Sequence, residues 1–428
     1  MQAVVVALGK IGLPLAVQIA RNGHSVVGCD INPEFVELVN QAQPPFPGEE
    51  GLAEALAEVI ASGALRAQLD TTAAVAEGPD LVVTVPPLAV DGEAKPDWTA
   101  LDAAIGAIGA GLKAGTTVAI ETTLPVGTTR NRIAPALSAA SGLTAEQDFF
   151  TVFSPERVFS GRIFADLAAY PKLLGGLSAA GEARGVELYR SFLEAEVRPM
   201  GSAEAAEMVK LAETTYRDIN IAFANELARF ADREGIDVER VIEAANSQPF
   251  SHIHSPGIAV GGHCIPVYPR FYLEGDPDAT LPGAARAVND EMPRYAAQRL
   301  EKALGGLQGA RVLVLGAAYR GGVKETAFSG VFGVTAALEA LGATALVSDP
   351  LYSDDELASL GLTAWDGGPI DAAIVQADHA EYAQLGAADL PGARVVLDGR
   401  AIVDAASLAS AGIAVERIGR PATSPPAS

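Results

Sequence analysis

The opening of the chain restricts its fold more than any other feature. Residues 2–8, QAVVVAL, form a continuous apolar run followed by glycine. Such a run reads as a strand buried on both faces, the kind that parallel sheets contain. Gly9 to Gly12 read as a turn, and Leu13 to Asn22 as a helix ending before Gly23. Ser25 to Cys29 read as a second strand closed by Asp30. Strand, helix and strand at this spacing make a βαβ unit. Further strands are expected at Asp80–Val85, Thr117–Glu121 and Phe150–Phe153, with helical patterns between some of them. An α/β sheet with parallel strands is the economical architecture.

The turn after the first strand, Ala7-Leu8-Gly9-Lys10-Ile11-Gly12, is a dinucleotide fingerprint with alanine in place of its first glycine. In that fingerprint Gly9 lets backbone approach a pyrophosphate, and Gly12 lets helix and strand pack closely. The helix N-terminus then faces the phosphates. Asp30, about 20 residues on, stands where a carboxylate accepts hydrogen bonds from a ribose 2′-hydroxyl. A 2′-phosphate would be repelled there, so NAD is expected over NADP. The competing reading is a tight βα turn that binds nothing.

Two further segments set the organisation. Ser202 to Glu234 has helical apolar spacing throughout and lacks Pro and Gly, with Ser202 as a candidate N-cap and Gly235 as a stop. At 1.5 Å per residue this helix spans roughly 50 Å, long enough to connect domains. Near residue 311 the opening theme returns. RVLVLGAAYRGG echoes AVVVALGKIG, and Ala345–Ser348 leads into Asp349-Pro350. The expected fold is therefore α/β, with two Rossmann-like domains joined by a long central helix and a helical segment. The expected boundaries are 1–200 for the NAD-binding domain, 201–305 for the helical segment, 306–420 for the second α/β domain and 421–428 for a Pro/Ser-rich disordered tail. Repeated architecture does not by itself give both halves the same ligand.

Charge and cysteine usage exclude other classes. The formal net charge of -23 argues against nucleic acid, whose binding needs Lys and Arg on phosphates. A local pocket can still admit a small anion. Two cysteines far apart, Cys29 and Cys264, make neither a disulfide framework nor a zinc cluster, no metal is expected, and the pattern fits a reducing cytoplasm. The N-terminus lacks a basic start and apolar signal core, and no apolar stretch of about 18 residues reads as a membrane span.

Residues 256–269 read PGIAVGGHCIPVYP. The glycines before Cys264 give backbone amides close access to whatever reacts at the thiol, and a nearby cation would favour the thiolate. Alone, the cysteine is equally a small buried hydrophobe. Lys210 lies mid-helix in EMVKLAETTYRD, with Thr214 and Arg217 on the same face; alone, it is an ordinary solvated lysine.

Taken with GKIGLPLA, ETTLPVGTT at 121–129, FSPERVFSG at 153–161, AEMVKLAETTYRDINIAFANELA at 206–228 and VLGAAYRGGVKETAFSG at 314–330, the chain resembles the nucleotide-sugar dehydrogenases. That family includes the UDP-glucose, GDP-mannose and UDP-N-acetylmannosamine enzymes. The run TTYRDINIAFANELA most resembles the last branch, with UDP-N-acetylglucosamine and UDP-glucose remaining open as substrates. The resemblance covers nearly the whole chain in order. It implies Cys264 as nucleophile, Lys210 as oxyanion stabiliser, Glu156 as the residue tied to water activation and thioester hydrolysis, and Thr123 as a group positioning that water. It implies NAD at Gly9, Lys10, Ile11, Gly12, Asp30, Pro86 and Thr123. It implies a UDP-sugar at Glu156, Arg157, Lys210, Thr214, Gly261 and Arg320, and a homodimer.

Four positions depart from the family pattern. Tyr268 stands where an aspartate follows the cysteine by four residues, and Thr214 where an asparagine follows the lysine by four. Ala327 stands two before Ser329 in place of an arginine, and Phe250 in place of an arginine that reaches a neighbouring subunit's sugar. Arg320 and Lys324 are the substitute cations for the diphosphate.

The implied chemistry is oxidation of a primary alcohol to an acid. It removes two hydrides, and the intermediate aldehyde donates the second only after a nucleophile adds to it. A thiolate gives a thiohemiacetal, then a thioester that water cleaves. Two other readings stay open: a single-step hydroxyacid-type dehydrogenase with a structural Cys264, and a nucleotide-sugar-binding protein without turnover.

Overall fold

The structure, a computed structural model, describes residues 1–91, 95–159 and 161–423. It divides into two compact units. One comprises Met1–Glu213 with Glu274–Asp276, the other Thr214–Leu273 with Pro277 onward.

The first unit is built on an eight-stranded sheet. Its strands are β1 (Gln2–Val6), β2 (Ser25–Cys29), β3 (Leu65–Gln68), β4 (Leu81–Thr84), β7 (Thr117–Ile120), β8 (Phe150–Phe153), β9 (Lys172–Gly176) and β10 (Val197–Pro199). A separate hairpin, β5 (Ala89–Val90) with β6 (Pro96–Asp97), lies between β4 and β7 in sequence. The order across the sheet is β10-β9-β8-β7-β4-β1-β2-β3. The order reverses at β1 and β4, and such a reversal opens a crevice at the carboxyl ends of the strands. β1 stops at Val6, short of the expected Leu8, because Ala7 turns left-handed with φ 74°. Leu81–Val83 and Val118–Ile120 are wholly buried, as strands covered on both faces should be.

Within this sheet one pairing departs from the parallel expectation. β9 runs antiparallel to β8, with Phe153 opposite Gly175. Its first residue, Lys172, is thereby delivered to the edge where β8 ends.

The long helix spans Ala203–Glu234. Ser202 caps it, accepting the Ala205 N–H on Oγ at 3.1 Å, and Gly235 ends it at φ 69°. Helices Val238–Asn246, Tyr268–Gly275 and Thr280–Leu304 follow.

The second unit carries a six-stranded sheet. Its strands are β11 (Arg311–Leu315), β12 (Thr344–Ser348), β13 (Ala372–Val375), β14 (Val395–Asp398), β15 (Ala414–Arg417) and β16 (Arg420–Thr423), in the order β12-β11-β13-β14-β15-β16. Strand β16 pairs antiparallel with β15, which corrects the expected tail: residues up to Thr423 belong to the sheet, since they complete the ladder of an edge strand. The rest of that tail, 424–428, lies outside the described residues. Asp349, at the end of β12, accepts the N–H of Ala317 and Ala318 on Oδ2 at 2.7 and 3.0 Å. The same latch closes the first unit, where Asp30 Oδ2 accepts the Leu8 N–H at 2.7 Å.

Candidate active site

The carboxyl edge of the first sheet gathers the expected dinucleotide residues. Gly9 follows β1, Pro86 follows β4, Thr123 follows β7 and Glu156 follows β8, and these four strands are consecutive neighbours. A Cβ built at Gly12 would fall inside the contact radius of the Ala7 carbonyl oxygen, so close packing explains that glycine. At Gly9 a Cβ would meet nothing within 4 Å. The helix Gly12–Arg21 has no acidic residue in its first turn and no side-chain cap. Its amides suit an anion, and the turn fits a pyrophosphate through Gly9, Lys10, Ile11 and Gly12.

Ala7 explains why glycine is the usual choice in its place. A non-glycine residue in the left-handed region costs about 1–2 kcal/mol. Part of that is offset, because glycine loses about 0.4–1 kcal/mol more entropy on folding. Ala7→Gly should therefore stabilise the chain by about 0.5–1 kcal/mol, read as a higher denaturant midpoint with an unchanged slope. A lower midpoint would mean that the Ala7 methyl is worth more as packing than the turn costs.

Asp30 closes β2. Its Oδ2 holds the Leu8 N–H, and its Oδ1 accepts the Asn32 N–H at 2.9 Å. Asp30→Ala should weaken NAD and reduce its preference over NADP by at least about tenfold, the scale of one lost charge-assisted hydrogen bond. Faster turnover of the unaltered protein with NADP would refute this placement.

Thr123 is buried, and the neighbouring Thr122 hydroxyl donates to the Pro86 carbonyl at 2.6 Å. This bond ties the β7 end to the β4 end. The turn that follows is held from the long helix. Glu207 accepts the Gly127 N–H at 2.5 Å on one oxygen, and the Thr129 N–H and hydroxyl at 2.8 and 2.6 Å on the other. Burial pushes the Glu207 carboxyl up to about 7 against these donors.

Lys210 Nζ donates to the backbone carbonyl of Glu156 at 2.6 Å. The Glu156 carboxylate accepts from Lys172 Nζ at 2.9 Å, and Lys172 also reaches Glu121 at 2.7 Å. Arg157 is engaged in an ion pair with Glu213 at 2.5 Å. The sequence reading missed Glu121, Lys172, Tyr189 and Glu207. A charged residue at each end of otherwise apolar strands, Glu121 after TVAI and Lys172 before LLGG, was the available signal.

The remaining expected residues lie in the second unit. Cys264 is half-buried, and its carbonyl accepts the Val267 and Tyr268 N–H at 3.2 and 2.9 Å, starting the helix Tyr268–Gly275. Gly262, at φ 92°, donates its N–H to the Ala327 carbonyl at 2.9 Å. A Cβ at Gly261 would strike Tyr319 Cβ at 2.7 Å and Phe328 O at 2.9 Å. The glycines thus seat the thiol loop against the segment after β11, a packing role beside the expected access role. The loop is also fixed through Gly257, whose N–H reaches Asn225 Oδ1 at 2.9 Å.

Thr214 is buried on the long helix, and Tyr268 stacks tilted on Phe271 with centroids 5.7 Å apart. Phe250 is 92% exposed. Arg320 is exposed and lies over the Tyr319 ring, while Lys324 pairs with Glu356. Cys29, by contrast, is buried at the end of β2.

Comparison with known proteins divides the chain into three. Residues 1–193 match the NAD binding domain of the UDP-glucose/GDP-mannose dehydrogenase family, residues 204–291 its central domain and residues 313–405 its UDP binding domain. A UDP-N-acetyl-D-mannosamine dehydrogenase of Pyrococcus horikoshii is 34% identical over 413 residues, 94% of this chain and 96% of its own length. An NDP-N-acetyl-D-galactosaminuronic acid dehydrogenase of Ralstonia solanacearum is 32% identical over 419 residues, covering 95% and 97%. A solved structure of the Pyrococcus horikoshii UDP-N-acetylmannosamine dehydrogenase superposes with a TM-score of 0.88 at 32% identity, covering 98% of this chain and 100% of that one.

Proposed function

From the premise that this chain belongs to the UDP-glucose/GDP-mannose dehydrogenase family, and is thus an NAD-dependent oxidoreductase of nucleotide sugars, we propose that it oxidises the C6 alcohol of UDP-N-acetyl-D-mannosamine to the carboxylate. The sugar is chosen because relatives bearing that name match over nearly the full chain. The observation that carries the chemistry is the juxtaposition of Lys210 and Glu156 at the carboxyl edge of a dinucleotide-type sheet.

NAD supplies the hydride acceptor, two equivalents per sugar. It is assigned to Gly9, Lys10, Ile11, Gly12, Asp30, Pro86 and Thr123 within residues 1–200. The diphosphate is assigned to the α/β domain 306–420, with Arg320 as a cation for it, and the sugar to Glu156, Arg157, Lys210, Thr214 and Gly261. The Cys264 thiolate adds to the aldehyde carbon, and the resulting alkoxide is stabilised by the Lys210 ammonium. After the second oxidation the carbon is held as a thioester. Glu156 takes the proton of the water that attacks it, with Thr123 positioning that water.

NADH formed per UDP-N-acetyl-D-mannosamine consumed tests the reading. Two supports it, one favours a single-step dehydrogenase with a structural Cys264, and none favours a binding protein. A panel of UDP- and GDP-sugars tests the sugar.

Self-association is part of the proposal. Tyr216, Phe223 and Phe230 recur every seven residues on the long helix, each about half exposed, and such a stripe suits a second copy of the chain. Phe223→Asp should sediment as a monomer where the unaltered chain sediments as a dimer. The two free cysteines accord with a cytoplasmic location. No described helix is long and apolar enough to cross a membrane.

A further inference from the structure

Three titratable side chains that the sequence reading passed over form one buried chain with Glu156. Tyr189 donates its hydroxyl to Glu121 Oε1 at 2.5 Å. Glu121 Oε2 accepts from Lys172 Nζ at 2.7 Å, and the same ammonium reaches Glu156 Oε2 at 2.9 Å. Glu121 and Tyr189 are wholly buried and Lys172 is 5% exposed. Buried charge on this scale is costly unless it is paired, so the cluster needs an explanation beyond packing.

The topology that creates it is specific. Glu121 follows β7 and Glu156 follows β8, both at the carboxyl edge. A parallel β9 would have placed its first residue at the opposite edge. Because β9 runs antiparallel to β8, Lys172 enters at the carboxyl edge between the two carboxylates. Beside it lies a cavity of about 10 Å³ lined by Pro155, Glu156, Arg157, Asp166, Tyr170 and Lys172, room for about one water. Arg157 Nε is buried there without a partner among the described residues.

We propose that Lys172, clamped by Glu121, is a positioning residue that holds Glu156 ionised and correctly aimed for thioester hydrolysis. This rests on the reading that Glu156 serves that step. In it, a water oxygen bonds to the thioester carbon and the carbon–sulfur bond breaks. The electron pair leaves on Cys264 sulfur, and the water proton goes to Glu156. Lys172 exchanges no proton. Its fixed charge keeps Glu156 able to accept one.

The electrostatics agree with the geometry. Burial pushes the Glu156 carboxyl up, but the charge and hydrogen bond of Lys172, the Arg157 N–H and Lys210 outweigh it, leaving the carboxyl below its ordinary range. Burial raises Glu121 to about 7, with Lys172 opposing and Glu156 adding to the rise. Lys172 stays above its usual range because the two carboxylates overcome its burial. The other charged or titratable groups around the cluster are Tyr189, Lys210, the Arg157–Glu213 pair, Asp166 and Tyr170. Asp166 is itself held by Arg162 and the Phe159 N–H.

The experiment follows the rate of acid release and of first hydride transfer from about pH 3.5 to 9 in the full-length enzyme and in K172Q, K172R, E121Q and E156Q. K172Q removes the charge that favours ionised Glu156. The acid limb of its release profile should rise by at least about one pH unit, roughly a tenfold slower release at any pH well below the midpoint of the unaltered enzyme. First hydride transfer should stay within about threefold of the unaltered enzyme, the spread expected of a step the cluster does not serve. K172R should restore the profile. E121Q leaves Lys172 to Glu156 alone, so its acid limb should lie at or below that of the unaltered enzyme. E121Q and K172R keep the test alive if K172Q does not fold, and an acid limb raised in either overturns the proposal. An unmoved limb in K172Q also overturns it. The reading of Glu156 fails separately: if E156Q releases acid at the normal rate, Glu156 is not the base, whatever Lys172 does.

Discussion

Cys264→Ala should abolish acid formation, lowering its rate by at least about 10³-fold, because no other step converts the aldehyde to a hydride donor of comparable competence. A quench-flow experiment would find at most one NADH per sugar and no acid. Cys264→Ser should also block acid release, with an ester or hemiacetal adduct accumulating, because an alkoxide leaves less readily than a thiolate. The internal control is Cys29. Burial, ahead of the opposing Thr71 hydrogen bond and Arg66 charge, pushes its thiol up to about 12, so the thiolate is scarce near neutrality. Cys29→Ala should cost about 1 kcal/mol of stability and leave acid formation intact. A thiol reagent should label Cys264 first in the native protein. Full acid production by Cys264→Ser would end the covalent mechanism.

Gly12→Ala is expected to be nearly as severe, for a different reason. The added methyl would occupy the place of the Ala7 carbonyl oxygen. Neither side can yield cheaply. Ala7 is fixed by its N–H to the Cys29 carbonyl at 2.8 Å, and the helix beginning at Gly12 packs its buried face on the sheet. The helix must therefore move away from the turn and carry its first amides with it. NAD affinity should fall by at least about 100-fold, roughly 2.7 kcal/mol, measured by fluorescence titration. Normal NAD binding by the Gly12→Ala variant would show that the turn is softer than its packing implies.

Much of this was legible in the residues. The first strand, the fingerprint turn, Asp30 and the long helix with its Ser202 cap stand where apolar runs, glycines and capping chemistry put them, because each signal is local. What stayed hidden depends on pairing between distant segments. Nothing in KLLGG says that the strand runs against its neighbour, yet that direction brings Lys172 to Glu156. Glu121 closed an expected strand, but its partner lies 51 residues on. The strand Arg420–Thr423 was hidden by proline and serine just beyond it, which read as a tail. Gly261 was read as an opening for backbone amides, while its neighbours Tyr319 and Phe328 lie more than fifty residues away and leave no trace in local spacing.

The hold of Glu207 on the turn at Gly127 and Thr129 has a consequence for how the protein is made. The turn that carries Thr123 leaves the ribosome about eighty residues before the carboxylate that satisfies its amides. Until the long helix has begun to form, those donors have only water, and the segment after β7 must remain unsettled even with its sheet assembled. Closing contacts across such separations is slow compared with forming local helix and turn. The turn is therefore expected to settle after the sheet that carries it. A released chain ending just short of residue 207 should have Gly127 and Thr129 amides that exchange with solvent freely, and extension past the first turns of the helix should protect them.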